Sequence, residues 1–197
     1  MKPAYRRACF LTGAHEFAQL PPDDGVEVAF AGRSNVGKSS VINAITGIGG
    51  LARASRTPGR TQQINFFTLD EGHRLVDLPG YGYAQVPPAL QRHWKGLLER
   101  YLKARRSLRG VVVVMDSRHP LKELDQNMLN WCAVIPMPVH ILLTKADKLS
   151  HAEALTNLQT VKALLARDNH GETVQLFSAT RGLGLDEVYV RLDNWLK

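Results

Sequence analysis

Short apolar runs alternate along this chain with longer stretches in which apolar residues recur every three or four positions. The runs are β-prone and flanked by turn-forming residues, which predicts strands over 26–31, 63–69, 73–77, 111–115, 139–143 and 174–178. The periodic stretches predict helices starting at 38 and covering about 88–106, 122–132, 151–168 and 185–196. In 88–106, Leu90, Trp94, Leu97, Leu98, Tyr101 and Leu102 share one face. Arg92, Lys95, Lys103 and Arg106 fall elsewhere, continued by Arg105 and Arg109. Such a helix hides an apolar stripe and displays a basic one.

This alternation is the pattern of an α/β fold, here a mainly parallel, six-stranded sheet with helices on both faces. Segments 63–69 and 73–77 are joined only by Asp70-Glu71-Gly72, too short for a crossover, so they form a hairpin. That predicts one antiparallel edge strand. Residues 25–197 read as a single domain, and 1–24 as an N-terminal extension that either adds a flanking strand or packs as coil.

Four stretches carry the chemistry. Gly32-Arg33-Ser34-Asn35-Val36-Gly37-Lys38-Ser39 fits G-x-x-x-x-G-K-[ST] and sits between a strand and a helix. Gly32 and Gly37 allow a tight turn whose N–H groups, with the positive end of the next helix, hold phosphate oxygens. Lys38 supplies a charge for the outer phosphates and the Ser39 hydroxyl a hard ligand for magnesium. Asp77-Leu78-Pro79-Gly80 follows the next strand, where open α/β sheets place ligands. Asp77 is placed for a magnesium-bound water, and the Gly80 amide can approach a terminal phosphate with no side chain in the way. In Thr144-Lys145-Ala146-Asp147, the Asp147 carboxylate can accept from the N1–H and 2-amino groups of guanine, a donor pair that adenine lacks. The Lys145 stem can cover the ring, and Ser178-Ala179 offers a backbone amide to the guanine carbonyl. Any one of them could arise by chance, and Asp77-to-Gly80 and Ser178-Ala179 alone would pass for ordinary turn or loop sequence. In this order, each at the end of a strand, they describe a guanine nucleotide with magnesium.

Residues 53–62 are poor in apolar side chains and read as a loop. A nucleotide switch needs a hydroxyl that ligates magnesium only in the triphosphate state. Thr61, directly before a strand, fits better than Thr57, which precedes a proline.

With these residues assembled, the chain resembles the EngB (YihA/YsxC) family of bacterial GTPases, in the translation-factor-related class. The resemblance rests on Gly32–Ser40, Thr57-Pro58-Gly59-Arg60-Thr61-Gln62, Asp77–Tyr83, Thr144–Asp147 and Phe177-Ser178-Ala179, which span most of the chain. It implies a nucleotide site made of Gly32, Arg33, Ser34, Asn35, Val36, Gly37, Lys38, Ser39 and Ser40, with Gly59, Arg60, Thr61, Gln62 and Gln63. Asp77, Leu78, Pro79, Gly80, Thr144, Lys145, Ala146, Asp147, Phe177, Ser178 and Ala179 complete it. Lys38, Thr61, Gly80 and Asn35 would act in catalysis, and Ser39, Thr61 and Asp77 would hold Mg2+. GTP and GDP would be the nucleotides. The resemblance further implies assistance to large ribosomal subunit assembly, through ribosomal RNA and proteins, and a need in cell division and septation.

Many GTPases orient the attacking water with a glutamine after D-x-x-G; here that position is Tyr81. Two readings stay open. Hydrolysis is slow until a partner assists, or Asn35 helps to hold a potassium ion (K+) against the phosphates. Asn35 also fits a plain turn residue.

Composition changes this picture little. The 197 residues suit one domain with a sizeable core. No apolar run approaches the roughly 18 residues of a membrane span, and the N-terminus lacks a secretory apolar region, so a cytoplasmic protein is expected; a monomer is expected separately. Cys9 and Cys132 show no metal or redox spacing and read as reduced packing residues. The seven histidines, His93, His119, His140 and His151 among them, show no ligand spacing either. The net charge of +7 points to an anionic partner. A guanine-nucleotide-sensing module that recruits a division protein, with hydrolysis incidental, is the alternative of another class. An ATP-using phosphotransferase would leave Thr144–Asp147 unexplained.

Overall fold

The computed structural model describes residues 2–53, 63–81, 88–133, 137–168 and 171–197. Its strands are β1 (Cys9–Ala14), β2 (Val26–Gly32), β3 (Ile64–Thr68), β4 (His73–Asp77), β5 (Leu108–Asp116), β6 (Val139–Thr144) and β7 (Thr173–Leu176). The helices are α1 (Lys38–Thr46), α2 (Pro88–Ala104), α3 (Glu123–Ala133), α4 (His151–Asp168) and α5 (Leu185–Trp195). The sheet has seven strands in the order β1-β3-β4-β2-β5-β6-β7, so the expected count of six is corrected. Residues 9–14 supply the extra strand, pairing antiparallel with β3 through Cys9 opposite Thr68 and Ala14 opposite Ile64. The antiparallel strand β3 therefore lies inside the sheet, hydrogen-bonded to β1 and β4, and β1 takes the edge.

The remaining pairs, β2 with β4, β2 with β5, β5 with β6 and β6 with β7, are parallel. Both faces of such strands are covered, which is why β5 reads Val111-Val112-Val113-Val114 without alternation, each side chain fully buried. On one face Val111, Val113 and Ile141 pack with Trp94 and Tyr101 of α2, Met128 of α3 and Val161 of α4. On the other, Val112, Val114 and Leu142 pack with Ile42 of α1, Val188 of α5 and Tyr5 of the N-terminal turn. Cys132 belongs to the first cluster; Cys9, expected to pack, is exposed on β1.

The parallel strands all point their carboxyl ends to one rim. At the opposite rim, Glu27 of β2 is fully buried. Its carboxylate accepts from Arg105 Nη2 at 2.6 Å and Nε at 3.0 Å, from Tyr101 Oη at 3.0 Å and from Arg74 Nη1 at 3.3 Å. Arg105 also donates to the carbonyls of Pro21 and Pro22, tying the N-terminal segment to the sheet. The expected basic stripe on α2 is corrected accordingly: Arg105 faces inward, while Arg92, Lys95, Lys103, Arg106 and Arg109 are exposed.

Candidate nucleotide-binding site

β2 ends at Gly32, and a side chain here would not fit: a Cβ would come within 2.7 Å of the Val114 carbonyl oxygen on β5. The loop then turns through Asn35, at φ 65°, and Gly37, at φ 99°, both in the left-handed region. Gly37 caps α1, whose N-terminus has no side-chain cap. The first-turn amides of Lys38 and Ser39 are therefore left for an anion, as a phosphate site requires.

From the end of β4, the Asp77 carboxylate pairs with the Lys38 ammonium, both side chains nearly buried. Leu78 donates its N–H to the Phe30 carbonyl at 3.0 Å, which fixes the segment leading to Gly80. A Cβ on Gly80 would meet Ser34 Oγ only at 3.4 Å, an ordinary contact. The protein's own packing therefore does not demand glycine there. Arg33, Lys38, Ser39, Asp77, Gly80 and Lys145 line one cavity of about 760 Å³. Ser34, Asn35, Gly37, Ser40, Gln63, Leu78 and Pro79 line it as well. Val36 is buried beneath the loop. Gly59, Arg60, Thr61 and Gln62, like Thr57, lie outside the described residues.

The end of β6 joins the phosphate loop directly. Thr144 Oγ1 lies 2.5 Å from the Val36 carbonyl oxygen, and Lys145 Nζ donates to the Asn35 carbonyl at 2.7 Å. Lys145 also donates to Asp116 Oδ2 at 3.0 Å. Asp116, the last residue of β5, had no signal of its own in the sequence. Burial raises its pKa, but hydrogen bonds from Arg118 and Lys145 outweigh this and hold it well below the usual carboxylate range. It is thus a fixed negative charge that orients Lys145.

On the far side of Lys145, Ala146 donates its N–H to the Phe177 carbonyl at 3.2 Å, so the loops after β6 and β7 are held together. The Phe177 ring is fully buried in the core, leaving only its backbone at the site. Ser178 Oγ donates to Asp147 Oδ1 at 2.6 Å, and this bond keeps the Asp147 carboxyl below its ordinary pKa. Asp147 and Ala179 are half-buried, and neither they nor Ser178 line the cavity that holds Lys38 and Asp77. The loop over 33–40, Asp77-to-Gly80 and Lys145 share one cavity, and the Lys145–Asn35 and Ala146–Phe177 hydrogen bonds tie the loops after β6 and β7 to it.

A sequence profile for a family described as "50S ribosome-binding GTPase" matches residues 27–145. Fold, site and profile together define a phosphate-loop GTPase, a protein that binds GTP and hydrolyses it. The chain is 56% identical over 195 residues to the probable GTP-binding protein EngB of Coxiella burnetii (strain CbuG_Q212), covering 99% of this chain and 95% of that protein. It is 54% identical over 196 residues to the probable GTP-binding protein EngB of Nitrosococcus oceani, covering 100% of this chain and 98% of that one. The chain belongs to the EngB family of GTP-binding proteins.

Two solved structures bear on the fold. One is a probable GTP-binding protein engB, with TM-score 0.71 at 20% identity over 87% of this chain and 98% of that one. The other is Era in complex with MgGDPNP and nucleotides 1506–1542 of 16S ribosomal RNA, with TM-score 0.68 at 20% identity over 88% of this chain and 57% of that one.

Proposed function

We propose that this GTPase is a cytoplasmic, monomeric switch whose triphosphate form grips an assembling large ribosomal subunit and whose hydrolysis releases it. A need in normal cell division and septation is proposed beside it, on the resemblance to the EngB family. The observation that carries this reading is the exposed row Arg92, Lys95 and Lys103 on α2, with Arg106 and Arg109 beyond it. Arg92, Lys95 and Lys103 have no carboxylate partner among the described residues, although Lys95 covers the Trp131 ring at 5.5 Å and Arg106 lies 3.9 Å from Asp23. A desolvated, neutralised row would serve the fold; an exposed, unneutralised one suits an RNA backbone. The profile described as ribosome-binding and the RNA held by Era support the same direction.

Magnesium fits this site. Ser39 and Asp77 bring a hydroxyl and a carboxylate to the same cavity as Lys38, a hard-oxygen donor set, and Thr61 is the proposed third ligand. Bound there, the ion would neutralise charge on the phosphates. Lys38 grips the outer phosphates and the Gly80 amide meets the terminal one. Asp147 reads guanine, while Lys145 spans the base and the phosphate loop.

With Tyr81 in the glutamine position, unassisted turnover is slow, on the order of 10⁻⁴ to 10⁻³ s⁻¹ as for other GTPases without help. A ribosomal partner accelerates it, or a potassium ion at Asn35 does. Equal turnover in sodium and potassium buffers removes the potassium reading.

The test is co-sedimentation with large ribosomal subunits. Binding is expected with a non-hydrolysable GTP analogue, to be weaker with GDP, and to fall steeply with salt as condensed counterions are released. Binding that ignores both nucleotide and salt contradicts the proposal.

A further inference from the structure

The nucleotide motifs give no role to Asp125, which stands in the first turn of α3 with its side chain fully buried. Three elements meet at its carboxylate. Arg33 of the phosphate loop donates Nε to Oδ1 at 3.1 Å and to Oδ2 at 3.0 Å, and its Nη2 donates to the His119 carbonyl at 3.3 Å. The Lys122 N–H donates to Oδ2 at 3.2 Å, and Tyr81 Oη donates to Oδ1 at 3.3 Å. A buried carboxylate is costly unless paired, and here its partners are the entrance of the phosphate loop and the residue after Gly80.

Tyr81 is also held through its backbone. Its N–H donates to the Gly32 carbonyl at 3.3 Å, and its own carbonyl accepts from Ser34 N at 3.0 Å. This short parallel bridge lays the segment after Asp77 against the phosphate loop. Gly80, one residue earlier, cannot leave the cavity without disturbing Tyr81 and, through its hydroxyl, Asp125.

We propose that Asp125 is a positioning residue: through Tyr81 and Arg33 it holds the Gly80–Tyr81 segment docked on the phosphate loop, and so sets the preference for triphosphate over diphosphate. A diphosphate grips Lys38 and the α1 amides but does not reach Gly80, so it is indifferent to docking. A triphosphate uses the Gly80 amide and gains when that amide is already in place. A ligand shifts such an equilibrium only by its differential affinity for the two arrangements, so the coupling is measured by the ratio of the two nucleotide affinities. The inference rests on the terminal phosphate lying at Gly80, as proposed above.

The experiment is equilibrium titration of GDP and of a non-hydrolysable GTP analogue against the full chain and two variants. Asp125→Asn is expected to weaken the analogue about tenfold while leaving GDP within about twofold. Tyr81→Phe, which removes a single oxygen, is expected to act in the same direction by about threefold. Equal losses for both nucleotides mean that Asp125 serves only the fold, and no loss for either means that the contact couples nothing; each result overturns the proposal. Should Asp125→Asn not fold, Tyr81→Phe decides alone: selective weakening of the analogue supports the proposal, and any other pattern overturns it. Lys38→Ala is the control that separates this inference from the site assignment. It should lose both nucleotides, and if it retains both, it is the phosphate site that has failed.

Discussion

The two ends of β2 carry charged groups in opposite circumstances. At its start, Glu27 is enclosed by Arg105, Arg74 and Tyr101, whose remaining donors reach the carbonyls of Pro21, Pro22 and Asp24. At its end, past Gly32, Lys38 and Asp77 pair beside a cavity of about 760 Å³, with Lys145 and Arg33 partly exposed around it. Charges sealed against one another hold α2, β4 and the N-terminal segment in place. Charges beside an open cavity are arranged for something that is not protein. Burial and charge are similar at Glu27 and Asp77, so neither alone marks a functional site; access for a ligand does.

The comparison can be broken at either end. The largest effect is expected from Glu27→Ala, which removes the buried counter-charge of Arg105 and Arg74 and leaves them only the more exposed carboxylates of Asp23 and Asp24. Breaking such a buried pair costs about 3–5 kcal/mol. Denaturant titration should show that loss, while the folded fraction keeps its GDP affinity. A fall in affinity beyond the loss of folded protein would mean that the two ends are not independent.

Lys38→Ala comes next and should do the reverse. Nucleotide affinity is expected to fall about 100-fold, roughly 3 kcal/mol, with a smaller loss of melting temperature than Glu27→Ala because Asp77, left unpaired, borders the cavity and can be hydrated. Equilibrium binding and thermal melting on the same sample check both parts.

His140, early in β6, allows a test by pH alone. Burial pushes its pKa from 6.5 down to about 4, against an opposing hydrogen bond with Gln175. Because the folded value lies below the unfolded one, the neutral ring stabilises the fold above pH 6.5, and that contribution is lost as the pH falls toward about 4. The full loss is about 3 kcal/mol. Stability measured between pH 7 and pH 4 should decline more steeply in the parent than in His140→Gln, and parallel curves would contradict the assignment.

The smallest of these effects is expected from Asp116→Asn. Loosening Lys145 should weaken GTP and GDP alike by about tenfold, near 1.4 kcal/mol, because Lys145 serves the part that both nucleotides share. A loss confined to GTP would place Asp116 with the terminal phosphate instead.

Much of the carboxyl-end rim was legible in the sequence because its groups are local. Phosphate loop, metal motif and base loops each occupy a few consecutive residues at the end of a recognisable strand. What was missed is non-local. β1 contains Gly13, pairs with a strand some fifty positions away and has an exposed outer side, so it lacks both alternation and a continuous apolar run. Arg105 sits among basic neighbours, and only its geometry separates it from Arg106, because its partner Glu27 lies 78 positions earlier inside an apolar run. Asp125 reads as an ordinary acidic residue at a helix start; its meeting with Arg33 spans 92 positions. Asp116 terminates a valine-rich strand with no motif around it. Phe177, grouped with the base loop by motif, is a core residue because the apolar run of β7 continues through it. Polar networks closed by tertiary structure leave little trace in local pattern, whereas ligand loops at strand ends leave a strong one.

The central claim is that the loops carrying Lys38 and Asp147 form one guanine-nucleotide pocket. Competition of GDP and xanthosine diphosphate for the parent and for Asp147→Asn tests it most directly, because an amide can donate to the extra carbonyl of xanthine that a carboxylate repels. The account predicts that the parent selects GDP and the variant selects the xanthine nucleotide. An unchanged preference for GDP in a folded Asp147→Asn protein would contradict it.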